Sequence, residues 1–490
     1  MRNDTEKSTD ALWKKNERDN KGCPLFGKCG SCRYLDLTYP QQLAKKQKLI
    51  RRLMEKHCEV NPILGMEDPW YYRHKVQAVF GMDRKKNPIS GVYEEKSHRL
   101  LPVENCLIED RKADEIIGTI RGMLRSFKIR VYDENTGYGL LRYVMIRKGY
   151  STGEIMVVLV TASPIFPSRK NFVSALLKAH PEITTVVQNV NDRTDSMVLG
   201  ERFQTLHGKG YIMDELCGCR FKISPASFYQ VNPVQAARLY EKAVELAGLT
   251  GRETVVDAYC GTGTIGIIAA KKAGKVIGVE SNPDAVKDCI SNAKTNGVKN
   301  IRFYREDAGR FLKAMAADGI PADVVIMDPP RAGSSREFLD ALGTLKPERI
   351  VYVSCNPETM ERDVSVLEKC GYRGTQVWPV DMFPWTAGVE TVCLLSKLHS
   401  DQHIEVEVKM DELDLTAAES KATYEEIKKY VLEHTGLKVS NLYIAQVKQK
   451  CGIIERVNYN LPKSENSRQP KCPPEKEKAI KEALEYFRMI

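Results

Sequence analysis

The fold is predicted most directly by the stretch Val255-Val-Asp257-Ala-Tyr259-Cys-Gly261-Thr-Gly263-Thr-Ile-Gly266. Its β-branched start predicts a buried strand, its glycines predict a tight turn, and the residues that follow predict a helix. Glycines let a backbone approach a ligand closely, and the N-terminus of a helix favours negative charge. The stretch satisfies G-x-G-x-x-G, which fits NAD, FAD and S-adenosylmethionine equally. It therefore predicts a nucleotide-type site without naming the ligand.

From about residue 225 onward, strand and helix patterns alternate strictly. Seven strands with this spacing predict a doubly wound, mainly parallel α/β sheet of the Rossmann-like class. The strands are predicted at Thr254–Tyr259, Val276–Glu280, Ile301–Glu306, Val324–Met327, Ile350–Ser354, Gly374–Val380 and Val389–Ser396.

The flanking segments predict further parts. Residues 1–20 are polar and charged and predict a disordered basic arm. Residues 21–110 hold a cysteine cluster, and residues 60–220 mix short strands with helices, as in an α+β domain. We expect the α/β domain at residues 221–398 and a helical C-terminal extension at residues 415–490.

Composition narrows the class of protein. The net charge of +10, from 74 basic and 64 acidic residues, permits a polyanionic partner without proving one. No apolar stretch is long enough for a membrane span, and the N-terminus has no secretory pattern. A cytoplasmic enzyme without a membrane partner is expected. Because the chain is long and lacks a signal, its 14 cysteines favour metal binding and catalysis over disulfides.

Three acids end successive predicted strands. Glu280 suits the hydroxyls of a ribose, although a helix cap is the alternative. Asp307 could meet an adenine amino group or be an ordinary surface acid. Asp328 opens Asp328-Pro-Pro-Arg331, whose prolines predict a rigid, extended loop. Methyltransferases that act on planar nitrogen-containing rings often carry such a turn, which favours S-adenosylmethionine.

A cysteine and a carboxylate follow the later strands. Cys355 ends a buried strand, where chemistry sits in open α/β sheets, and a lowered thiol pKa would make it a nucleophile. Glu390 stands where an apolar strand begins and could accept a proton. The alternatives are a structural thiol and a strand-edge charge. Addition of a thiolate at C6 of uracil would activate C5 toward a methyl donor, and a base would then remove the C5 proton.

Together these motifs resemble the RNA uracil-5-methyltransferase family, specifically its iron–sulfur branch that acts on 23S rRNA. The matching motifs cover roughly residues 20–397 and include Phe221-Lys-Ile-Ser-Pro-Ala-Ser-Phe-Tyr-Gln230-Val-Asn, Asp257–Gly263, Asp328-Pro-Pro-Arg, Val353-Ser-Cys355-Asn-Pro and Asp381-Met-Phe-Pro followed by Val-Glu390-Thr. The resemblance implies that Cys355 is the nucleophile and Glu390 the general base. It also implies that S-adenosylmethionine is contacted by Gln230, Tyr259, Glu280, Asp328, Asp307 and Thr264.

Four cysteines suit a metal centre. Cys23, Cys29 and Cys32 have the spacing C-x5-C-x2-C, and Cys106 lies further along the chain. The spacing alone leaves zinc and iron–sulfur open. In the family that the chain resembles, this pattern holds a 4Fe-4S cluster.

RNA is the expected partner, and no obligate protein partner is evident. Basic and aromatic residues are mixed in Tyr71–Gln77 and Gly91–His98, and the helix predicted at Tyr39–Lys56 has a basic face that includes Lys46. Only 22 residues precede Cys23, so the N-terminal TRAM barrel that is common in the family is expected to be absent. We hypothesise that the C-terminal extension replaces part of its RNA grip.

Several other functions stay open from the sequence. The same chemistry on the T-loop of tRNA is an alternative to 23S rRNA. An iron–sulfur oxidoreductase that uses NAD would not need Cys355. An RNA chaperone would need neither Cys355 nor Glu390. Neither the target uridine nor the number of targets follows from the sequence.

Overall fold

The computed structural model describes residues 22–398, 423–451, 453, 472–487 and 489–490. The chain divides into two compact units, residues 1–399 and residues 400–490. The arm predicted at residues 1–20 lies outside the described residues.

The first part of the larger unit is an α+β arrangement. In chain order its elements are α1 (Tyr39–Met54), β1 (Glu59–Val60), β2 (Lys75–Met82), β3 (Pro88–Tyr93), β4 (Leu100–Pro102), α2 (Arg111–Met123), β5 (Leu141–Lys148), β6 (Ile155–Thr161), α3 (Arg169–Ala179), β7 (Ile183–Val190), β8 (Arg202–His207), β9 (Ile212–Leu216) and β10 (Cys219–Ile223). Seven strands form a sheet in the order β4-β3-β2-β5-β6-β7-β8, and β9 and β10 pair as a hairpin. Strand β6 is buried along its whole length, and α2 and α3 pack against the same core.

The second part is a mostly parallel sheet with helices on both faces. Its elements are α4 (Pro233–Ala247), β11 (Thr254–Ala258), α5 (Thr264–Ala270), β12 (Lys275–Glu280), α6 (Pro283–Thr295), β13 (Ile301–Arg305), α7 (Ala308–Ala317), β14 (Val324–Met327), α8 (Arg336–Leu345), β15 (Arg349–Ser354), α9 (Pro357–Lys369), β16 (Tyr372–Val380) and β17 (Glu390–Lys397). The strand order is β1-β16-β17-β15-β14-β11-β12-β13, with two buried clusters on opposite faces.

The Rossmann-like sheet is therefore present, with one addition. All seven predicted strands are found within two residues of their expected bounds. An eighth strand, β1, was not predicted; it pairs parallel with β16 through only two residues. A strand this short has no periodicity for a sequence to display. The last hairpin is antiparallel, with β17 inserted between β15 and β16.

Helix α1 is anchored on the segment that precedes β17. The prediction that Lys46 belongs to a basic surface was wrong, because this side chain is only 1% exposed and donates to Asp381 Oδ1. Tyr39 Oη and Gln42 Nε2 donate to Asp381 Oδ2 at 2.7 and 2.9 Å. Lys46 Nζ also reaches the carbonyl of Phe383 at 3.0 Å. Three side chains on successive turns of one helix thus satisfy one buried carboxylate.

The turn beyond Asp381 is held from the N-terminal side as well. Trp385 stacks on Trp70, with ring centroids 4.3 Å apart, and its backbone N–H donates to Gln42 Oε1 at 2.8 Å. Its backbone adopts a left-handed φ of 66°, which is uncommon for a bulky residue. Tyr72 Oη donates to the carbonyl of Pro384 at 3.0 Å. These contacts fix the chain just before Glu390.

The smaller unit contains three helices, α10 (Tyr424–Thr435), α11 (Asn441–Lys450) and α12 (Pro474–Tyr486). A capping box at Thr423 starts the first, and Gly436 ends it in a left-handed conformation. The helices share a small apolar core that includes Ile427, Ile444 and Ile480. Within the described ranges of both units, no helix is long and apolar enough to cross a membrane.

We expect Lys46→Ala to destabilise the larger unit strongly. The change leaves the Asp381 carboxylate buried without its cation, a loss of about 3–5 kcal/mol in comparable cases. Urea denaturation measures the free energy of unfolding. Lys48→Ala is the matched control, because Lys48 is an exposed lysine on the same helix. Equal stability of the two variants would show that the ion pair is not structural.

Candidate active site

The sheet register places Cys355 opposite Glu390. Strands β15 and β17 are antiparallel, and their last paired residues are Ser354 and Thr391. One step further along both strands brings Cys355 and Glu390 face to face at the carboxyl end of β15. Strand β14 flanks β15 on the other side and is followed directly by Asp328. Three segments that are distant in sequence thus converge at one sheet edge.

The electrostatics of this edge are unusual for acids. Glu390 is only 3% exposed, and the pKa of its carboxyl is raised to about 8, mainly by burial and then by the charge of Asp328, while the charge of Arg331 opposes the shift. Burial also raises the pKa of Asp328 to about 7. The Cys355 thiol has a raised pKa because of burial and then the charges of Glu390 and Asp328, while Arg331 opposes the shift through its charge and a hydrogen bond. The site can therefore hold and release protons near neutral pH.

The loop that carries Arg331 is held by the start of α9. The carbonyl of Arg331 accepts from Asn356 Nδ2 at 3.0 Å and from Thr359 Oγ1 at 3.4 Å. Arg362 donates to the carbonyl of Ala332 at 3.0 Å. Gly333 has a left-handed φ of 79°, and a Cβ there would stand 2.4 Å from the Arg362 guanidinium. Helix α9, which follows Cys355, thus forms hydrogen bonds with this loop. These bonds position the Cys355 thiol and Arg331 relative to each other.

The glycine turn lies against Glu280. The backbone N–H of Gly261 donates to Glu280 Oε2 at 3.0 Å, and that of Asn282 donates to Oε1 at 2.8 Å. The helix cap is Asn282, whose side chain accepts from the first turn of α6. Glu280 thus contacts both the glycine turn and the N-cap residue of α6, and its role as a ribose contact stays a prediction. At the base of the turn, Asp257 accepts from the Gly266 N–H at 2.7 Å, and burial raises the pKa of this acid to about 8.

The other predicted contact residues lie around this edge in different settings. Tyr259 has a left-handed φ of 62°, and burial raises the pKa of its phenol to about 12. Thr264 is buried, with its hydroxyl 3.2 Å from that of Thr262. Asp307 is exposed and caps α7 by accepting from the Arg310 N–H at 3.1 Å. Its charge acts on Tyr259, so it lies near the turn, and its cofactor role stays a prediction.

Two residues without a predicted role belong to the site. Arg331 was quoted only as part of a motif, yet its charge acts on both Cys355 and Glu390. Tyr240 of α4 is buried and hydrogen-bonds Gln230, and the charges of Asp328 and Glu390 act on its phenol. Helical periodicity assigns Tyr240 to the core, so no sequence signal separates it from a packing residue.

The four predicted ligand cysteines share one cavity. Cys23, Cys29, Cys32 and Cys106 line a space of about 340 Å³ together with Arg73. Within the described ranges, no three His, Cys, Asp or Glu side chains converge as they would on a single metal ion. The Nε atom of Arg73 is buried without a hydrogen-bond partner. Arg73 also hydrogen-bonds Tyr72, and the charge of Glu109, which lines the same cavity, acts on it.

Comparisons with known proteins identify the family of the chain. Residues 208–398 match the family described as tRNA (Uracil-5-)-methyltransferase. An uncharacterized RNA methyltransferase of Halalkalibacterium halodurans is 42% identical over 384 residues, which cover 77% of this chain and 84% of that relative. The chain belongs to the RNA uracil-5-methyltransferase family. Another uncharacterized RNA methyltransferase, from Caldanaerobacter subterraneus, is 41% identical over 79% of this methyltransferase and 86% of its own length.

A solved structure is similar as well. The crystal structure of Pyrococcus abyssi tRNA (uracil-54, C5)-methyltransferase in complex with S-adenosyl-L-homocysteine has 31% sequence identity and a TM-score of 0.60. The match covers 73% of this methyltransferase and 84% of the Pyrococcus chain. The family predicted from the motifs is thus confirmed, and its iron–sulfur 23S rRNA branch stays a prediction.

We expect Glu390→Gln to stabilise the methyltransferase at alkaline pH. The carboxyl pKa rises from 4.5 to about 8 on folding, so the folded state binds the proton more tightly. The free energy of unfolding should therefore fall as pH rises through this window. Since each pKa unit corresponds to about 1.4 kcal/mol, the variant should gain at least about 1 kcal/mol near pH 8.5.

Urea denaturation at acidic and alkaline pH measures this difference. The pKa values of Asp328 and Asp257 lie in the same range as that of Glu390. The difference between the variant and the wild type therefore gives the contribution of Glu390 to the pH dependence of the unfolding free energy. Glu241→Gln, a change at an exposed position of α4, should leave the pH dependence unaltered. A Glu390→Gln curve parallel to the wild-type curve would contradict the burial argument.

Proposed function

We propose that this enzyme transfers a methyl group from S-adenosylmethionine to C5 of a uridine in 23S rRNA. The observation that carries the proposal is the meeting of Cys355, Glu390 and Arg331 at one sheet edge. A thiol, a buried carboxyl and a cation supply the nucleophile, base and charge stabiliser that C5 methylation requires. The description of the matching family, tRNA (Uracil-5-)-methyltransferase, supports methylation of a uracil at position 5.

The reaction begins with the Cys355 thiolate. Its sulfur bonds to C6 of the uracil, and the displaced electron pair moves through C5 to form an enolate at O4. C5 then bonds to the methyl group of the sulfonium. The bond between sulfur and this methyl group breaks, and S-adenosylhomocysteine is the product. Glu390 takes the C5 proton, the C5–C6 double bond re-forms, and the thiolate is expelled from C6. Every bond formed at the ring is thus matched by one that breaks.

The protonation states of the site fit this sequence of steps. Glu390 must be ionised to accept the C5 proton, and Cys355 must be ionised to attack. Burial opposes both ionisations, and Arg331 favours both. A base with a pKa of about 8 accepts a carbon-bound proton more readily than an ordinary carboxylate does. Arg331 therefore offsets part of the cost of ionising Cys355 and Glu390.

The methyl donor is assigned to the glycine turn and its neighbours. Glu280 presents its carboxylate beside the Gly261 N–H, as a ribose site requires. Tyr259, Gln230, Asp328, Thr264 and Asp307 surround the same sheet edge and keep their predicted roles as contacts. The S-adenosyl-L-homocysteine named for the Pyrococcus abyssi structure supports this assignment.

The choice of RNA rests on two different observations. The four-cysteine cavity favours 23S rRNA through the resemblance to the iron–sulfur branch. The name of the Pyrococcus abyssi enzyme favours tRNA, which is therefore the second candidate. The oxidoreductase and chaperone alternatives are dropped, because the family that the chain belongs to consists of methyltransferases.

A 4Fe-4S cluster is proposed for the thiol-lined cavity. Cys23, Cys29, Cys32 and Cys106 would hold it, and the Arg73 guanidinium would offset part of its negative charge. Three of these thiols pack against the cluster of Tyr39, Tyr72 and Trp385 that supports the turn before Glu390. The iron–sulfur cluster would therefore order the region around Tyr39, Tyr72 and Trp385, and no step of the methyl transfer would involve it.

We expect Cys355→Ala to abolish methylation, because no thiolate remains to activate C5. Glu390→Gln should instead accumulate a covalent protein–RNA adduct, because the C5 proton has no acceptor. Release of tritium from RNA labelled at uracil C5 measures turnover, and denaturing gels reveal the adduct. Mapping of 5-methyluridine in 23S rRNA and in tRNA decides between the two substrates.

The control is Cys370→Ala, which removes another partly exposed thiol at the end of α9. It should retain turnover. Full tritium release by Cys355→Ala would refute the covalent mechanism.

We expect Cys29→Ser to lower the iron and sulfide content of anaerobically purified protein. Each lost thiolate removes one attachment point of a cluster. Metal analysis and the visible absorption spectrum measure this directly, without an activity assay. Cys217→Ser, at a partly exposed cysteine outside the cavity, should keep full occupancy. Stoichiometric zinc in place of iron would contradict the assignment.

A further inference from the structure

A groove opens at the β13 edge of the parallel sheet. Strand β13 is the last strand in the sheet order, so only one of its two edges is paired within the described residues. The groove is lined by residues of α6, of β13 and of the loop between them, and its volume is about 550 Å³. Ligand pockets commonly measure about 300–1,000 Å³, so this space is large enough for part of a ligand. We call it the edge groove.

The charged residues of the edge groove all have the same sign. Lys294 of α6, Lys299 of the loop and Arg302 of β13 are exposed and line the space, and none of the described residues that line it is acidic. Within the described ranges, none of these three cations has an ion pair. Like charges gathered in one place repel one another, and a bound anion would relieve this repulsion.

The two carboxylates of helix α6 are engaged elsewhere. Asp284 pairs with Lys287, whose Nζ lies 2.8 Å from Oδ1. Asp288 accepts from Ser224 Oγ at 3.1 Å, and its Oδ1 lies 3.8 Å from Lys222 Nζ. The helix that forms one wall of the edge groove therefore does not neutralise the groove's positive charge.

Apolar side chains form much of the remaining surface of the groove. Tyr304 is 41% exposed and Ile290 is 56% exposed, and both line the space together with Phe303. The ring of Phe311 in α7 supports that of Tyr304, with centroids 5.0 Å apart. Successive side chains of a strand point to opposite faces, so Phe303 and Tyr304 extend the groove around the free edge of β13.

Protection of a free edge explains only part of this pattern. Charged side chains on an edge strand oppose pairing with a strand of another protein. That role accounts for Arg302, but exposed Tyr304 and Ile290 would favour the unwanted contact. The same cations argue against a peptide strand as the occupant. Single-stranded nucleic acid suits both features, because its phosphates bind cations and its bases stack on exposed rings.

The edge groove and the catalytic residues are separated by the width of several strands. The sheet order places β13 four strands away from β15, which leads directly into Cys355. Neighbouring strands are about 4.8 Å apart, so the separation across the sheet is about 19 Å. A uridine at Cys355 and a nucleotide in the edge groove would therefore stand several positions apart on one RNA strand.

We propose that the edge groove binds a single-stranded segment of the substrate RNA that flanks the target uridine. Lys294, Lys299 and Arg302 contact its phosphates, and Tyr304 stacks on one of its bases. The inference rests on the proposed RNA methyltransferase function and adds a second RNA-binding surface to the uracil site. Nucleotides outside the uracil site would thus contribute to the affinity for the substrate.

The test separates charge from stacking through the salt dependence of RNA binding. Full-length protein with Cys355→Ala, which cannot form an adduct, is titrated with a fluorescein-labelled oligouridylate of about 16 nucleotides over a series of KCl concentrations. Lys299→Met and Arg302→Met, introduced together, should reduce the slope of log K against log salt by about 1.4, the value for two single-strand phosphate contacts. Tyr304→Ala should weaken binding at least about fivefold without changing the slope, because stacking releases no counterions.

Three controls separate local charge from net charge and from folding. Lys170→Met together with Lys178→Met removes two exposed lysines of α3, which have no ion pair within the described ranges, and should leave the slope unchanged. Lys299→Arg together with Arg302→Lys keeps both charges and should keep the slope. Affinity for S-adenosylhomocysteine, measured by calorimetry, should stay the same in every variant.

The other outcomes overturn the inference. An unchanged slope after Lys299→Met and Arg302→Met, or failure of the parent protein to bind the oligonucleotide, refutes the edge groove. An equal loss of slope in the α3 control shows an effect of net charge alone. A loss of affinity for S-adenosylhomocysteine shows a structural role of the edge strand. Competition by polyglutamate as strong as that by unlabelled RNA indicates an acidic protein as the ligand.

Failure of the edge groove and failure of the proposed function are distinguishable. Tritium release by the wild-type enzyme from RNA labelled at uracil C5 tests the function without reference to the groove. Tritium release combined with an unchanged slope refutes only the groove, whereas no release from 23S rRNA or from tRNA refutes the proposed function.

Discussion

The buried ion pair between Lys46 and Asp381 is the constraint on which the candidate active site at the sheet edge depends. These residues stand 335 positions apart, and both are almost fully buried. The turn at residues 381–389 is therefore held by a helix that is distant in sequence. Glu390 follows that turn directly and begins β17. A buried pair of this kind adds little net stability. Removal of one partner is nevertheless strongly destabilising, because it leaves the other charge buried and uncompensated. It therefore specifies one arrangement of the turn.

The catalytic edge itself concentrates acids that oppose one another. Asp328 lies within electrostatic reach of both Glu390 and Asp257, and burial is the main cause of the raised pKa values of all three carboxyls. These groups are held in place by the surrounding sheet and by the hydrogen bonds between α9 and the loop that carries Arg331. This is the usual compromise of an active site, where stability is given up so that protons can move near neutral pH.

Much of the site was accessible from the sequence because its chemistry is local. Cys355 and Asp328 follow strands, and Glu390 starts one, so strand ends and motif spacing sufficed to select them. The role of Asp307 was harder to predict. An acid between a strand and a helix has the same sequence pattern whether it contacts a cofactor or caps the helix. Arg331 and Tyr240 were not assigned because an arginine in a loop and a tyrosine in a helix carry no signal of their partners. Lys46 was misassigned for the same reason, since its spacing matched a solvated face.

The sequence determined the α/β class and the order of the strands along the chain, and it selected Cys355 and Glu390 as the candidate nucleophile and base. These features depend on hydrophobic periodicity, turn residues and short motifs, all of which act over a few neighbouring positions. Only the tertiary structure decided that Lys46 is buried, that four cysteines share a cavity, and that Arg331 acts on both Cys355 and Glu390. Such pairings join residues tens to hundreds of positions apart. Their energy comes from desolvation and charge, which exist only once the chain has folded and excluded water.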